Sequence, residues 1–103
     1  MTLHDLTARL RRRLQIQDHT QDMLLQDLLA DAHALMLAYM NRDTLPAPLY
    51  PAQCQLAAML YNRLGMEGEA ARSEGGVSIT VDTLPDDIRA QLMPYRLMKA
   101  VTL

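Results

Sequence analysis

The sequence predicts an all-α fold: a small bundle of about four main helices, with a mobile loop and one short extended segment before the last helix. Three observations lead there. Half of the 103 residues are apolar, yet Phe and Trp are absent and only 4 Tyr are present, so Leu, Met and Ala must build the core. Those are strong helix formers, whereas strands favour β-branched and aromatic side chains. Apolar residues also recur at helical spacing, in stretches separated by proline- and glycine-bearing breaks. At this length one domain, residues 1–103, is expected. Such a chain removes about two-thirds of its unfolded surface from water.

The first helix begins at Thr2, a good N-cap with Asp5 three residues on in capping-box position. Leu3, Leu6, Leu10 and Leu14 make one narrow apolar stripe, and Asp5 stands four residues before Arg9, the favourable order for a surface pair. The second helix is expected from Asp18 or Thr20 to about Asn41. Leu24, Leu25, Leu28, Leu29, Ala32, Leu35, Met36, Tyr39 and Met40 form a stripe wide enough for two neighbours. Asp22, Asp27 and Asp31 decorate its other face. Leu45-Pro46-Ala47-Pro48 then breaks the helix, because Pro lacks the N–H and restricts the residue before it.

The third helix starts between Pro48 and Pro51. Leu56 to Tyr61 is apolar on every side, the mark of a buried central helix, and Gly65 is a natural left-handed stop. Met66 to Gly76, with its Glu and Gly residues, reads as a mobile exposed loop. Val77, Ile79 and Val81 alternate with Ser78, Thr80 and Asp82 as in a half-buried strand. A fourth helix follows with Pro85 at its first position, Asp86 and Asp87 at its positive end, and Ile88 and Leu92 facing inward. Pro94 ends or kinks it, leaving Tyr95 to Leu103 as a short apolar-basic tail.

Net charge is −2, with Lys+Arg 10 against Asp+Glu 12, so the chain carries no general polyanion-binding footprint. One Cys rules out an intrachain disulfide framework. No apolar signal region opens the sequence and no apolar run approaches the ~18 residues of a membrane span. A soluble, untargeted protein is expected.

Chemistry-bearing constellations are sparse. Arg9, Arg11, Arg12 and Arg13 fan around much of a helix and read as a solvated helix end, with phosphate or partner contact as the alternative. His4, His19 and His33 lack partners at metal spacing. Asp27 and Asp31 share a helix face but have no apolar pocket or third group to make them acid–base catalysts. Cys54 reads as a small buried hydrophobe, and Met36, Met40 and Met59 as core filling, while Met93 and Met98 suit an adaptable contact surface. Gly65, Gly68, Gly75 and Gly76 do not follow a strand and lack the lysine of a phosphate loop. No catalytic, cofactor or metal site is expected.

The strand-like run carries the most weight. An isolated strand is not stable in water without a partner. It lies along the bundle as extended chain, pairs with part of the loop, is irregular, or packs against another subunit. The candidate interaction residues are therefore Glu67, Glu69, Arg72 and Glu74 of the loop, Val77, Ile79 and Val81 of the run, and Tyr95, Arg96, Leu97, Met98, Lys99 and Val101 of the tail.

The order of several strings is distinctive. Leu24-Leu25 leads to Tyr39-Met40-Asn41-Arg42-Asp43. Then come Gln55-Leu56-Ala57, Leu60-Tyr61-Asn62-Arg63 and Glu74-Gly75-Gly76-Val77-Ser78, and finally Leu84-Pro85 and Pro94-Tyr95-Arg96. This succession resembles the head–tail connector (adaptor, or DNA-packaging) proteins of tailed phages, over nearly the whole chain. The resemblance implies a small helical bundle that assembles as a ring, commonly twelve-fold, under the portal vertex of the capsid. It implies a virion protein of the neck, assembled in the bacterial host cytoplasm. Its partners would be further copies of itself, the portal protein and a stopper or tail-completion protein, with DNA passing through the channel and no sequence-specific binding. The first helix matches least distinctively, so no role for Arg9 to Arg13 is implied. The alternative function class is a small helical DNA-binding or regulatory protein using those arginines.

Overall fold

The computed structural model describes residues 2–67 and 79–97, with the side chains of 65–67 set aside. Its α-helices are α1 (Leu3–Leu14), α2 (Asp22–Met40), α3 (Tyr50–Glu67) and α4 (Asp86–Leu92). Short 3-10 turns at Ala47–Leu49, Val81–Thr83 and Met93–Tyr95 join or extend them. Among the described residues there is no strand, and the molecule is an all-α bundle as its composition requires.

Helix α1 starts as its sequence dictates. The Asp5 amide donates to Thr2 Oγ1 at 3.1 Å, and the Thr2 amide donates to Asp5 Oδ2 at 3.2 Å. The hydrogen bonds from the Thr2 backbone and then its side chain hold the Asp5 carboxyl below its ordinary range. The cap's charge-dependent contribution is thus complete above that range and is lost as pH falls through the lowered value. Leu6 and Leu10 are buried, Leu14 is half-buried and Leu3 is exposed, so the leucine stripe meets the bundle over its middle. Gln15 closes the helix at φ 60°, with the Ile16 amide reaching Arg11 O at 2.9 Å. That is the wrapped C-terminal turn usually given to glycine.

Helix α2 begins later than the Asp18–Thr20 expectation. Asp18 Oδ1 accepts from both the Thr20 amide and hydroxyl, at 3.2 and 2.8 Å, which holds these residues in a local turn. Leu25, Leu28, Leu29, Ala32, Met36, Tyr39 and Met40 are buried. Leu24, counted in the core stripe from sequence, is instead exposed. Asp22 departs from the acidic outer face assigned to it: Arg11 Nε stands 2.9 Å from its Oδ1 and His19 Nδ1 lies 3.0 Å from its Oδ2. The helix ends at Asn41, φ 57°, a conformation that asparagine tolerates better than most residues.

Helix α3 packs against α1, α2 and α4, and its seam with α2 is the most extensive in the bundle. Ala52, Cys54, Leu56, Ala57 and Ala58 are buried, whereas Met59, Leu60 and Tyr61 are half-buried. The central position therefore belongs to its first half. Gly65 does not stop it, because the helix continues to Glu67. A glycine inside a helix costs only about 1 kcal/mol relative to alanine, and nothing here requires it to be left-handed. Two polar ties cross to α2. Gln53 Nε2 donates to Leu29 O at 2.9 Å, and the Tyr61 hydroxyl donates to Gln21 Oε1 at 2.9 Å.

The strand expectation is corrected where it can be followed. Val77 and Ser78 lie outside the described residues. Ile79 is buried in the core, 7% exposed, and Val81 packs half-buried against it. The chain then turns, since the Thr80 amide donates to Thr83 Oγ1 at 2.7 Å and Val81–Thr83 form a 3-10 turn. This local bonding replaces a ladder, so the segment needs no partner strand. Met66 and Glu67 remain helical, and the rest of the expected mobile loop, residues 68–76, lies outside the described residues. Pro85 stands at the N-cap of α4, one position before its expected place, and Ile88 and Leu92 are fully buried as anticipated.

Leu56 sits in α3 with no exposed surface. Leu56→Ala is expected to cost about 2–5 kcal/mol of stability, read as a lower urea midpoint with unchanged slope. A midpoint within error of the parent would contradict the central placement of this helix.

Candidate assembly interface

Three of the candidate residues, Tyr95, Arg96 and Leu97, lie where the end of α2 meets the terminal segment. Three backbone-directed hydrogen bonds hold residues 95–97 there. The Leu97 amide donates to Met40 O at 2.8 Å. Asn41 Nδ2 donates to Leu97 O at 2.9 Å. Arg42 Nε donates to Tyr95 O at 2.6 Å. The Met40 carbonyl belongs to the last turn of α2, where helix carbonyls lack partners of their own, so the segment satisfies a group that the helix leaves open.

Tyr39 is the hub of the side-chain contacts. The Arg96 guanidinium lies 4.8 Å from the centre of its ring, a cation–π distance. Its hydroxyl lies 3.9 Å from Met93 Sδ. Beside it runs a shallow open groove lined by Tyr39, Asp86, Arg89, Ala90, Met93 and Pro94, with Asp86 and Arg89 ion-paired on its rim. Pro94 removes a donor just after α4, the chain leaves the helix through Met93–Tyr95, and Arg96 becomes extended. Tyr95 is half-buried, while Arg96 and Leu97 are exposed. The first residues of the tail therefore fold back on their own bundle.

The remaining candidates distribute as follows. Ile79 is a core residue of the single chain, which removes it from the exposed contact set. Glu67 falls in the last turn of α3. Glu69, Arg72, Glu74, Val77, Met98, Lys99 and Val101 lie outside the described residues. Sequence reasoning missed Asn41 and Arg42 as the residues that receive the tail. The available signal was Asn41 itself, a residue suited to a left-handed cap at the end of an apolar helix, but nothing local links it to position 97.

The other constellations resolve simply. Arg11 is taken up internally by Asp22, while Arg12 and Arg13 are exposed and Arg9 is half-buried. Asp5, bonded to Thr2, makes no ion pair with Arg9. Asp27 and Asp31 are both exposed. Cys54 is buried, its Sγ 3.9 Å from Leu6 O. Burial pushes its thiol up, against the weaker pull of Arg9, Arg13 and Arg12. Among the described residues no group of three or more His, Cys, Asp and Glu is placed to hold a metal ion, and no helix is long and apolar enough to cross a membrane.

The fold is a small α-helical bundle with residues 95–97 docked on the end of α2, and such a bundle by itself fixes no function. The family comparison gives the particular family. A model described as Phage gp6-like head-tail connector protein matches residues 5–96. The chain belongs to this family of head–tail connector proteins. No curated protein and no solved structure matches it.

Arg42→Ala is expected to loosen the tail by about 1.5–3 kcal/mol, the range for a hydrogen bond from a charged donor. Exchange of the Leu97 amide should quicken while the buried amides of α2 keep their protection. An unchanged Leu97 rate would contradict the clamp.

Proposed function

We propose that this connector is a structural virion protein that forms a ring at the portal vertex, joins capsid to tail and extends the DNA channel. The observation that carries the proposal is the family match over residues 5–96. On this reading the chain acts as one domain at the neck of the virion, having assembled in the host cytoplasm. Its partners are other copies, twelve in the virion ring, together with the portal protein and a stopper or tail-completion protein.

Three features support the reading. The chain is slightly acidic, with net charge −2, which suits a passage through which a polyanion slides without sticking. The tail is anchored at Tyr95–Leu97 by bonds to backbone atoms, so the residues beyond start from a fixed point on the bundle. Glu67 at the end of α3, Glu69, Arg72 and Glu74 after it, Val77, Val81 and the tail from Tyr95 to Val101 are proposed as contact surfaces toward neighbours or the portal. DNA recognition by Arg9 to Arg13 is the weaker reading, because Arg11 is paired with Asp22 and leaves that cluster one cation short.

Native mass spectrometry of the chain alone and with its portal protein tests the proposal. A closed multiple of the 11.6 kDa chain, or one captured on the portal ring, is expected. A chain that stays monomeric at every concentration and does not associate with the portal would refute it.

A further inference from the structure

We propose that the outer face of α2 is one half of a contact between copies of this chain, and that the arginine-bearing end of α1 on the next copy is the other half. The inference rests on the ring reading above and goes further by naming the two surfaces that meet.

The starting observation is that α2 carries apolar residues on its outer side as well as its inner one. The side opposite its buried residues carries Ala30, Ala34 and Ala38 along its length, with Met23 and Leu24 at its beginning, all exposed. Met23 is 81% exposed and Leu24 38%. A helix on the surface of a bundle ordinarily turns charged and polar residues outward, and one that is apolar all round is buried on all sides. Among the described residues α2 is covered on one side only. The alanines keep the outer side low, which lets a second helix approach closely, since interaxial distance follows the size of the contacting side chains.

Charge identifies the occupant. The outer face of α2 holds two charged groups, Asp27 and Asp31, and no Lys or Arg. Neither acid makes an ion pair within the chain among the described residues. On α1 the opposite holds. Arg12 and Arg13 are exposed and Arg9 is half-buried, and none of them has an acidic partner among the described residues. Arg11 is the member of the cluster that turns inward, to Asp22. Among the described residues the chain thus carries a face with unpaired acids on one helix and an end with unpaired arginines on another.

Two copies meeting by a two-fold axis through α2 would set Asp27 and Asp31 against their own counterparts. A head-to-tail contact sets them against Arg9, Arg12 and Arg13 instead. That is a heterologous interface, the kind that closes into a ring by rotation. Complementary charge fixes the register and rejects the like-charged alternative, while the apolar residues supply the dehydrated area. The same acids make the face a poor surface for DNA.

Charge exchange tests the pairing. One variant carries Asp27→Arg and Asp31→Arg; the other carries Arg12→Asp and Arg13→Asp. All four positions are exposed, so both variants should keep the parent's circular dichroism and melting temperature. Each alone presents like charges at every contact and should remain monomeric by light scattering under conditions where the parent assembles. An equimolar mixture restores opposite charges at every contact and should assemble with the two variants alternating. Ala34→Arg, which puts bulk and charge in the middle of the face, should block assembly by itself. Assembly of either charge variant alone, a mixture that stays monomeric, or an Ala34→Arg chain that assembles like the parent would each overturn the proposal. In those cases the ring reading stands if the parent assembles. A parent that never assembles, alone or on the portal, removes both.

Discussion

The seam between α2 and α3 is the contact on which the rest of the molecule depends. With no Phe or Trp available, the chain cannot fill a wide core, and close approach of helices must take the place of large side chains. Ala32 on α2 and Ala52, Ala57 and Ala58 on α3 are all buried, and Leu29, Met36, Met40 and Leu56 fill the space around them. Helix α1 lies across both partners through Leu6 and Leu10, and α4 closes the assembly with Ile88 and Leu92. Even the polar ties at the seam, Gln53 to Leu29 and Tyr61 to Gln21, run between α3 and the start or middle of α2. The terminal segment then hangs on the free end of α2.

Position along α2 also links stability to function. Its inner side supplies core leucines and methionines, its last turn receives Tyr95–Leu97, and its outer side is uncovered among the described residues. One long helix thus serves the core along one side and the terminal segment at its end. The Arg11–Asp22 ion pair ties the end of α1 to the start of α2, and a mostly buried guanidinium that loses its acid is strongly penalised.

Much of this was legible in the sequence where the determinants are local. Thr2 and Asp5 announced the start of α1, the leucine and methionine periodicity announced the inner face of α2, and Ile88 and Leu92 announced the buried side of α4. Cys54 in an apolar helix was readable as a core residue. What escaped depended on distant partners or on competing local bonds. The alternation at Val77 to Val81 has a strand's period, yet in the described part the Thr80–Thr83 bonding turns the chain at Val81–Thr83. Gly65 carries a stop signal that helix propagation overrides. Asp22 looked like one of three equivalent surface acids until Arg11, on a different helix, met it. Asn41 and Arg42 belonged to the string that marks the family resemblance, but their bonds to Leu97 and Tyr95 span most of the distance to the far end of the sequence.

The most direct test of the α2–α3 seam as the structural foundation is amide hydrogen exchange under native conditions across a range of low denaturant concentrations. The buried-face amides of both helices should exchange only through opening of the whole bundle, with one common free energy and a slope equal to that of global unfolding. The amides of residues 96 and 97 should open at lower free energy, because they hang on the seam without forming part of it. If α2 opened alone, at a free energy well below global unfolding while α3 stayed protected, the seam would not be what holds the structure together.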